Sequence, residues 1–203
     1  MTDWFTADLH LGHEAVASIR DMSNDEHTAT IYENLVSATN SGDRLFILGD
    51  LVSGFETPED EIQRVARLAM TMNRYNVKVH VIAGNHDCIH PKRSKAHRYL
   101  YGYSYVVDSV ASAGTLKIAG QRAVLSHYPY DGDHTGEDRD IQWRARDLGA
   151  PIIHGHTHAS EPVSWSRQGT LQICVSLDAW DMRPVSKDEL ARLIERNQKK
   201  ENG

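Results

Sequence analysis

Five times along the chain, a short apolar run stops on an aspartate, asparagine or histidine. Trp4-Phe5-Thr6-Ala7 stops at Asp8, and Leu45 to Leu48 stops at Gly49-Asp50. Val77 to Ala83 stops at Gly84-Asn85-His86-Asp87, and Ala123 to Ser126 stops at His127. Pro151-Ile152-Ile153 runs into His154-Gly155-His156-Thr157-His158. Runs of this length, bounded by Gly, Pro or polar residues, read as buried β-strands. In α/β folds, ligands gather beyond the carboxyl ends of strands, so residues scattered along a chain can converge there.

Between the strands lie helix signals. Ser23 with Glu26 is a capping-box pattern ahead of Ile31, Leu35 and Val36. Thr57-Pro58-Glu59-Asp60 supplies a capping hydroxyl, a proline at the first helical position and acids that suit the helix dipole. Ser186 with Glu189 repeats the box before Leu190, Leu193 and Ile194, and Lys199 to Gly203 reads as a frayed tail. Further strands are expected over Pro162 to Trp165 and Leu171 to Ser176. The early βαβα alternation predicts an α/β fold, and the strand-rich second half predicts a second sheet.

With 203 residues, no internal repeat and no low-complexity linker, the chain reads as a single domain spanning 1–203. The net charge of -6 argues against a protein that coats long duplex nucleic acid. The opening MTDWFTADLH lacks the pattern of a secretory signal, and no apolar run approaches bilayer length, so no membrane partner is expected. Cys88 and Cys174, isolated thiols, fit a reducing, cytoplasmic setting and read as packing residues. The sequence carries no signature of a particular oligomeric state.

Asp8 and His10 stand at i, i+2, which in an extended segment places both on one side; His156 and His158 repeat that spacing. Carboxylate, imidazole and amide oxygens, without cysteine, suit divalent Mn, Fe, Ni or Zn. The set is large enough for two ions, and a carboxylate between them could bridge at about 3.5–4 Å. Any one piece is common by chance; the ordered set, each piece after an apolar run, is not.

In that order, Asp8-Leu9-His10, Gly49-Asp50, Gly84-Asn85-His86-Asp87, His127 and Gly155-His156-Thr157-His158 resemble the signature of the calcineurin-like metallophosphoesterases. The opening "DLHLGH" and the late "SLDAWDMRPVS" are similar to the small bacterial and phage branch, which contains phosphodiesterases. The resemblance implies a four-layer α/β/β/α sandwich of two mixed sheets flanked by helices. It implies two divalent ions, foremost Mn, with Fe, Ni or Zn as alternatives. Asp8, His10 and His158 would hold one ion and Asn85, His127 and His156 the other, with Asp50 bridging. His86 would sit at the substrate phosphate, oriented by Asp87. The implied reaction is in-line attack of a metal-bridging hydroxide on a small phosphodiester or nucleotide, including cyclic nucleotides. Phosphomonoesterase activity, or an inactive scaffold of the same fold, are the alternatives. Where many relatives continue Gly-Asp with Asp-Arg-Gly, this chain has Leu51-Val52-Ser53-Gly54, which weighs against a protein phosphatase.

Tyr128, beside His127, is expected to contact a substrate base, and Asn85 and His13 to contact substrate. Trp143 and Tyr130 read equally as packing. His27, His80, His90, His97 and His134 have no ligand-like context and read as surface or structural, and His154 is expected to face away from His156 and His158 or to support them. Asp131 to Asp140 is the one strongly polar stretch and reads as a surface loop or a gating lid. Lys92, Arg93 and Lys95 read as a solvated basic face, with attraction of phosphate as the alternative.

Overall fold

In the computed structural model, the backbone is described for residues 1–201 and side chains for residues 1–197. Strands β1 (Asp3–Thr6), β2 (Arg44–Ile47), β3 (Lys78–Ile82) and β4 (Ser109–Ala111) pair in parallel, in that order. Strand β10 (Val185–Ser186) closes the β1 edge in antiparallel fashion. The second sheet runs β5 (Ala113–Ile118), β6 (Gln121–Ser126), β7 (Ile152–His154), β9 (Leu171–Cys174) and β8 (Val163–Trp165). Its three inner strands are parallel and its two edge strands antiparallel. These two mixed five-stranded sheets, flanked by helices, are the architecture expected from the sequence.

Two apolar cores hold the layers. One face of the first sheet (Leu45, Ile47, Val79, Val81) buries against helices α2 (Asn24–Ala38) and α3 (Pro58–Arg74) through Ile31, Leu35, Val65, Leu68 and Met72. Its other face (Phe5, Leu48, Ile82) meets Leu125, Ile153 and Ile173 of the second sheet. Leu190 and Ile194 of α5 (Lys187–Glu201) join that second core. A parallel sheet covered on both faces needs near-continuous apolar strands, and these runs supply them.

The helix starts form as read. Ser23 Oγ accepts the Glu26 amide while the Glu26 carboxylate accepts the Ser23 amide. Thr57 Oγ1 accepts the Asp60 amide at 3.2 Å. Ser186 and Glu189 repeat the reciprocal pair at 2.9 and 3.2 Å. Caps of this kind contribute about 1 kcal/mol each. Helix α5 carries the backbone of Lys199 to Glu201, so that part of the expected frayed tail is helical; Asn202 and Gly203 lie outside the described residues. Helices α1 (Glu14–Ile19) and α4 (Ala96–Val106) carry no usual cap: α1 is capped by His13 Nδ1, and α4 has no side-chain cap. Among the described residues, no helix is long and apolar enough to cross a membrane.

Candidate metal centre

Parallel strands point their carboxyl ends the same way, and both sheets do so toward one seam. The loops after β1, β2 and β3 bring Asp8 with His10, Asp50, and Asn85 with His86; those after β6 and β7 bring His127, and His156 with His158. Asp8, His10, Asp50, His156 and His158 all take positive φ, between 46° and 69°. That backbone is uncommon outside glycine, although Asp and His tolerate it better than most residues. Two glycines make the approach possible. A Cβ on Gly84 would collide with the Asp50 amide and carboxylate, and one on Gly155 would lie 2.6 Å from Asp8 Oδ2.

The donor atoms converge in two groups. Asp8, His10 and His158 form one, and Asp8, Asp50 and His127 the other, each with its donors within 4.8 Å of one another. His10 Nε2 faces His158 Nε2 at 3.2 Å. Asp8 belongs to both groups, and Asp50 Oδ2 of the second lies 3.4 Å from His127 Nε2 and 3.8 Å from His10 Nε2 of the first. Asn85 Oδ1 lies 3.0 Å from His127 Nε2 and 2.8 Å from His156 Nδ1.

Hydrogen bonds to the opposite ring nitrogens select which atoms face inward. His127 Nδ1 donates to the Leu48 carbonyl at 2.8 Å, His158 Nδ1 to Asp178 Oδ2 at 2.8 Å, and His156 Nε2 to Asp133 Oδ2 at 2.9 Å. This is how proteins fix the tautomer of a metal-ligating histidine. The set fits divalent cations. Bond lengths of 2.0–2.1 Å place neighbouring donors roughly 3.0–3.4 Å apart, and the separations here run from 2.8 to 3.9 Å. His10 Nε2 and His158 Nε2, facing each other at 3.2 Å, carry at most one proton between them, so at least one lone pair points into the cluster.

The buried charges of the donor set act strongly on one another. Burial raises the Asp8 carboxyl above its ordinary range, against the pull of His158 and His127. Burial also acts to raise Asp50, but His127, His10 and His86 outweigh it and hold it well below that range. Burial opposes charge on His127, yet Asp50 and Asp8 push it up to about 9. Burial lowers His10 well below the usual histidine value, and burial with the charge of His127 takes His156 down to about 3.

His86 lies beside this cluster, its ring 5.1 Å from that of His10. Its amide donates to Asp50 Oδ1 at 2.8 Å and its Nδ1 to the Ser53 carbonyl at 2.9 Å, which frees Nε2. Asp87 does not orient it. The Asp87 carboxylate instead accepts the amides of Gly84, Asp50 and Leu51 at 2.7, 3.1 and 2.9 Å. Wholly buried, it gathers the orphan amides of two ligand loops, a structural task that leaves no lone pair aimed at His86.

Tyr128 also departs from expectation. It is only 2% exposed. Its ring packs on His127 and His156, Arg144 covers it at 5.7 Å, and its hydroxyl donates to Asp140. It forms a wall behind the histidines, with no free face for a base. His13 lies at the site edge, 5.5 Å from the His10 ring, and caps α1. Burial holds its pKa below the usual value, reinforced by the nearby His86 charge. His154 is buried, bonded to the Gly155 carbonyl, and outside the cluster, as expected.

Three site residues were missed in the sequence. Asp133 belongs to the polar stretch read as a surface loop, yet its side chain is fully buried against His156, Arg139 and Arg144. Asp178 orients His158 and is gripped by Arg20, whose Nη2 also donates to the Asp8 carbonyl at 2.9 Å. Asp178 follows β9 as the other acids follow their strands, and that position was its signal. Arg20, at the end of a six-residue helix, gave none. His27, read as surface or structural, is buried on Arg20 Nη1, where burial and that charge lower it to about 4. His134 sits nearer the site than expected, its ring 6.0 and 6.1 Å from those of His156 and His158.

A sequence model of calcineurin-like phosphoesterases matches residues 1–160. The chain is 39% identical over 201 residues to the Gene 66 protein of Mycobacterium phage L5, covering 94% of this chain and 93% of that protein. It is 37% identical over 197 residues to the Gene 66 protein of Mycobacterium phage D29, covering 94% of each. Among solved structures, the crystal structure of AQ665, a protein of unknown function from Aquifex aeolicus, shares the fold. The TM-score is 0.65 at 22% identity, covering 95% of this chain and 98% of that one. The chain therefore belongs to the calcineurin-like phosphoesterase family, which implies metal-dependent hydrolysis of phosphoesters.

Proposed function

We propose that the protein is a phosphodiesterase acting on small phosphodiesters or cyclic nucleotides, using two divalent ions, foremost Mn with Fe, Ni or Zn as alternatives. The observation that supports it is the pair of donor groups, which share Asp8 and are further linked by Asp50 Oδ2 between His10 and His127, with His86 Nε2 left free beside them. Asp8, His10 and His158 would hold one ion, Asn85, His127 and His156 the other, and Asp50 would contribute to both. When bound, the ions neutralise phosphate charge and lower the pKa of water. The chain's own residues do the rest. Asp50 fixes the His86 backbone, the Ser53 carbonyl accepts from Nδ1, and the imidazolium form of His86 would give its Nε2 proton to the leaving oxygen, returning to the Nδ1–H tautomer. Asp133 and Asp178 hold His156 and His158 in register. Leu51-Val52-Ser53-Gly54 after Gly49-Asp50 brings no arginine, which argues against phosphoprotein substrates, and the net charge of -6 argues against long duplexes. The setting we propose is the cytoplasm.

The test compares bis-p-nitrophenyl phosphate with p-nitrophenyl phosphate, with added Mn and after chelation. Chelator-sensitive cleavage favouring the diester is expected. A monoester preference would move the assignment to a phosphomonoesterase, and loss of neither activity on chelation would end the metal reading.

Two variants probe the roles. His86→Ala should keep its metal content and lose about 10²–10⁴-fold in turnover, the contribution of one positioned proton donor. Unchanged turnover would remove His86 from the chemistry. Asp133→Asn should weaken Mn affinity roughly 10- to 100-fold, as the loss of an orienting carboxylate does. Titration with Mn by calorimetry measures it, and an unchanged affinity would make Asp133 a loop anchor only.

A further inference from the structure

Phe55 is 81% exposed, on the loop between β2 and α3. A single exposed apolar side chain is ordinary on a protein surface. This one stands at the mouth of the site, with its ring 5.3 Å from that of His13 and 6.5 Å from that of His86, both edge-on. The loop is tied to the site: the Phe55 amide donates to Ser53 Oγ at 3.2 Å, and the Ser53 carbonyl accepts His86 Nδ1. The aromatic face is thus held in fixed relation to His86 and left open to solvent. A cavity of about 380 Å³ also opens beside His86, lined by Gly54, Arg93 and Lys95 and by Glu56 and Glu61, which are engaged by Arg64 and by Tyr103 with the Cys88 amide, respectively. Arg93 Nη2 donates to the carbonyls of Asn85 and His86 at 3.3 Å each, and among the described residues it has no carboxylate partner. An aromatic face and an unneutralised guanidinium, both anchored to His86, call for a ligand with a planar ring and negative charge.

We propose that Phe55 and Arg93 form a nucleotide subsite beside His86, with Phe55 stacking on the base and Arg93 attracting phosphate. This rests on the phosphodiesterase reading and names its substrate class as nucleotides. Base–aromatic stacking tolerates any base, because every base has a π-face.

The test is binding, so it needs no turnover. Adenosine 5′-monophosphate and ribose 5-phosphate are titrated into the Mn-loaded protein by calorimetry. The expected result is about tenfold tighter binding of the nucleotide. Phe55→Ala should bring the two ligands to parity, Phe55→Trp should restore the preference, and Arg93→Gln should weaken both ligands alike. No preference in the unmodified protein, or one that survives in Phe55→Ala, overturns the subsite. Hydrolysis of diesters without ring preference would sink this inference and leave the phosphodiesterase reading standing. Ring preference without hydrolysis of any phosphoester would do the reverse.

Discussion

Asp50→Ala is expected to release both metal ions and to lower turnover about 10³-fold, the equivalent of roughly 4 kcal/mol of lost transition-state stabilisation. The reason is position. Asp50 Oδ2 lies within 3.8 Å of His10 Nε2 and 3.4 Å of His127 Nε2, one donor from each side of the seam. Its other oxygen holds the His86 amide, so the substitution also loosens the proposed proton donor. The fold should survive. The change removes one buried carboxylate near Asp8, and the Asp87 carboxylate still gathers the surrounding amides. Metal content after gel filtration is the measurement. Two equivalents retained per chain would show that Asp50 is not the shared ligand.

Arg20→Met should cost about 3 kcal/mol in stability, the scale of breaking a buried ion pair. For a chain of this size that lowers Tm by roughly 6–12 °C. Arg20 is 5% exposed and bonds Asp178 twice, at 3.0 and 2.8 Å, besides the Asp8 carbonyl and His27. Its loss leaves the Asp178 carboxylate half-stranded beside His158. The double variant Arg20→Met with Asp178→Asn should recover part of the loss, because no unpaired charge then remains. A single-variant melt within about 2 °C of the unmodified protein would remove this network from the stability account.

Much of this site is legible in the sequence because its donors sit directly after apolar strands, where local pattern and global position coincide. Asp50 after Leu45–Leu48 and His127 after Ala123–Ser126 are read that way. The orienting residues escape because their roles depend on contacts across the chain. Asp133 looks like any acid in a polar loop until Arg139 and Arg144 fold over it, and Arg20 meets Asp178 across 158 positions. Asp87 misleads for a related reason. It neighbours His86 in sequence, but the tight turn after Gly84 aims its carboxylate back at backbone amides. Among the elements, β4, β5 and β10 escape because they are short or edge strands with mixed burial. Helices α1 and α4 escape because they lack the usual caps.

The seam between the sheets also sets a timetable for the ribosome. Asp8 and its partner amide at His156 are 148 positions apart, and at roughly 5–20 residues per second that separation takes about 7–30 s to synthesise. Early in that interval the nascent chain makes His10 and then Asp50; His127 of the second sheet follows much later, and His156 and His158 only at its end. Strand β10, which closes the first sheet beside β1, is made later still. Asp8, His10 and Asp50 therefore wait for His156 and His158, and the centre can assemble only after residue 158 has been made.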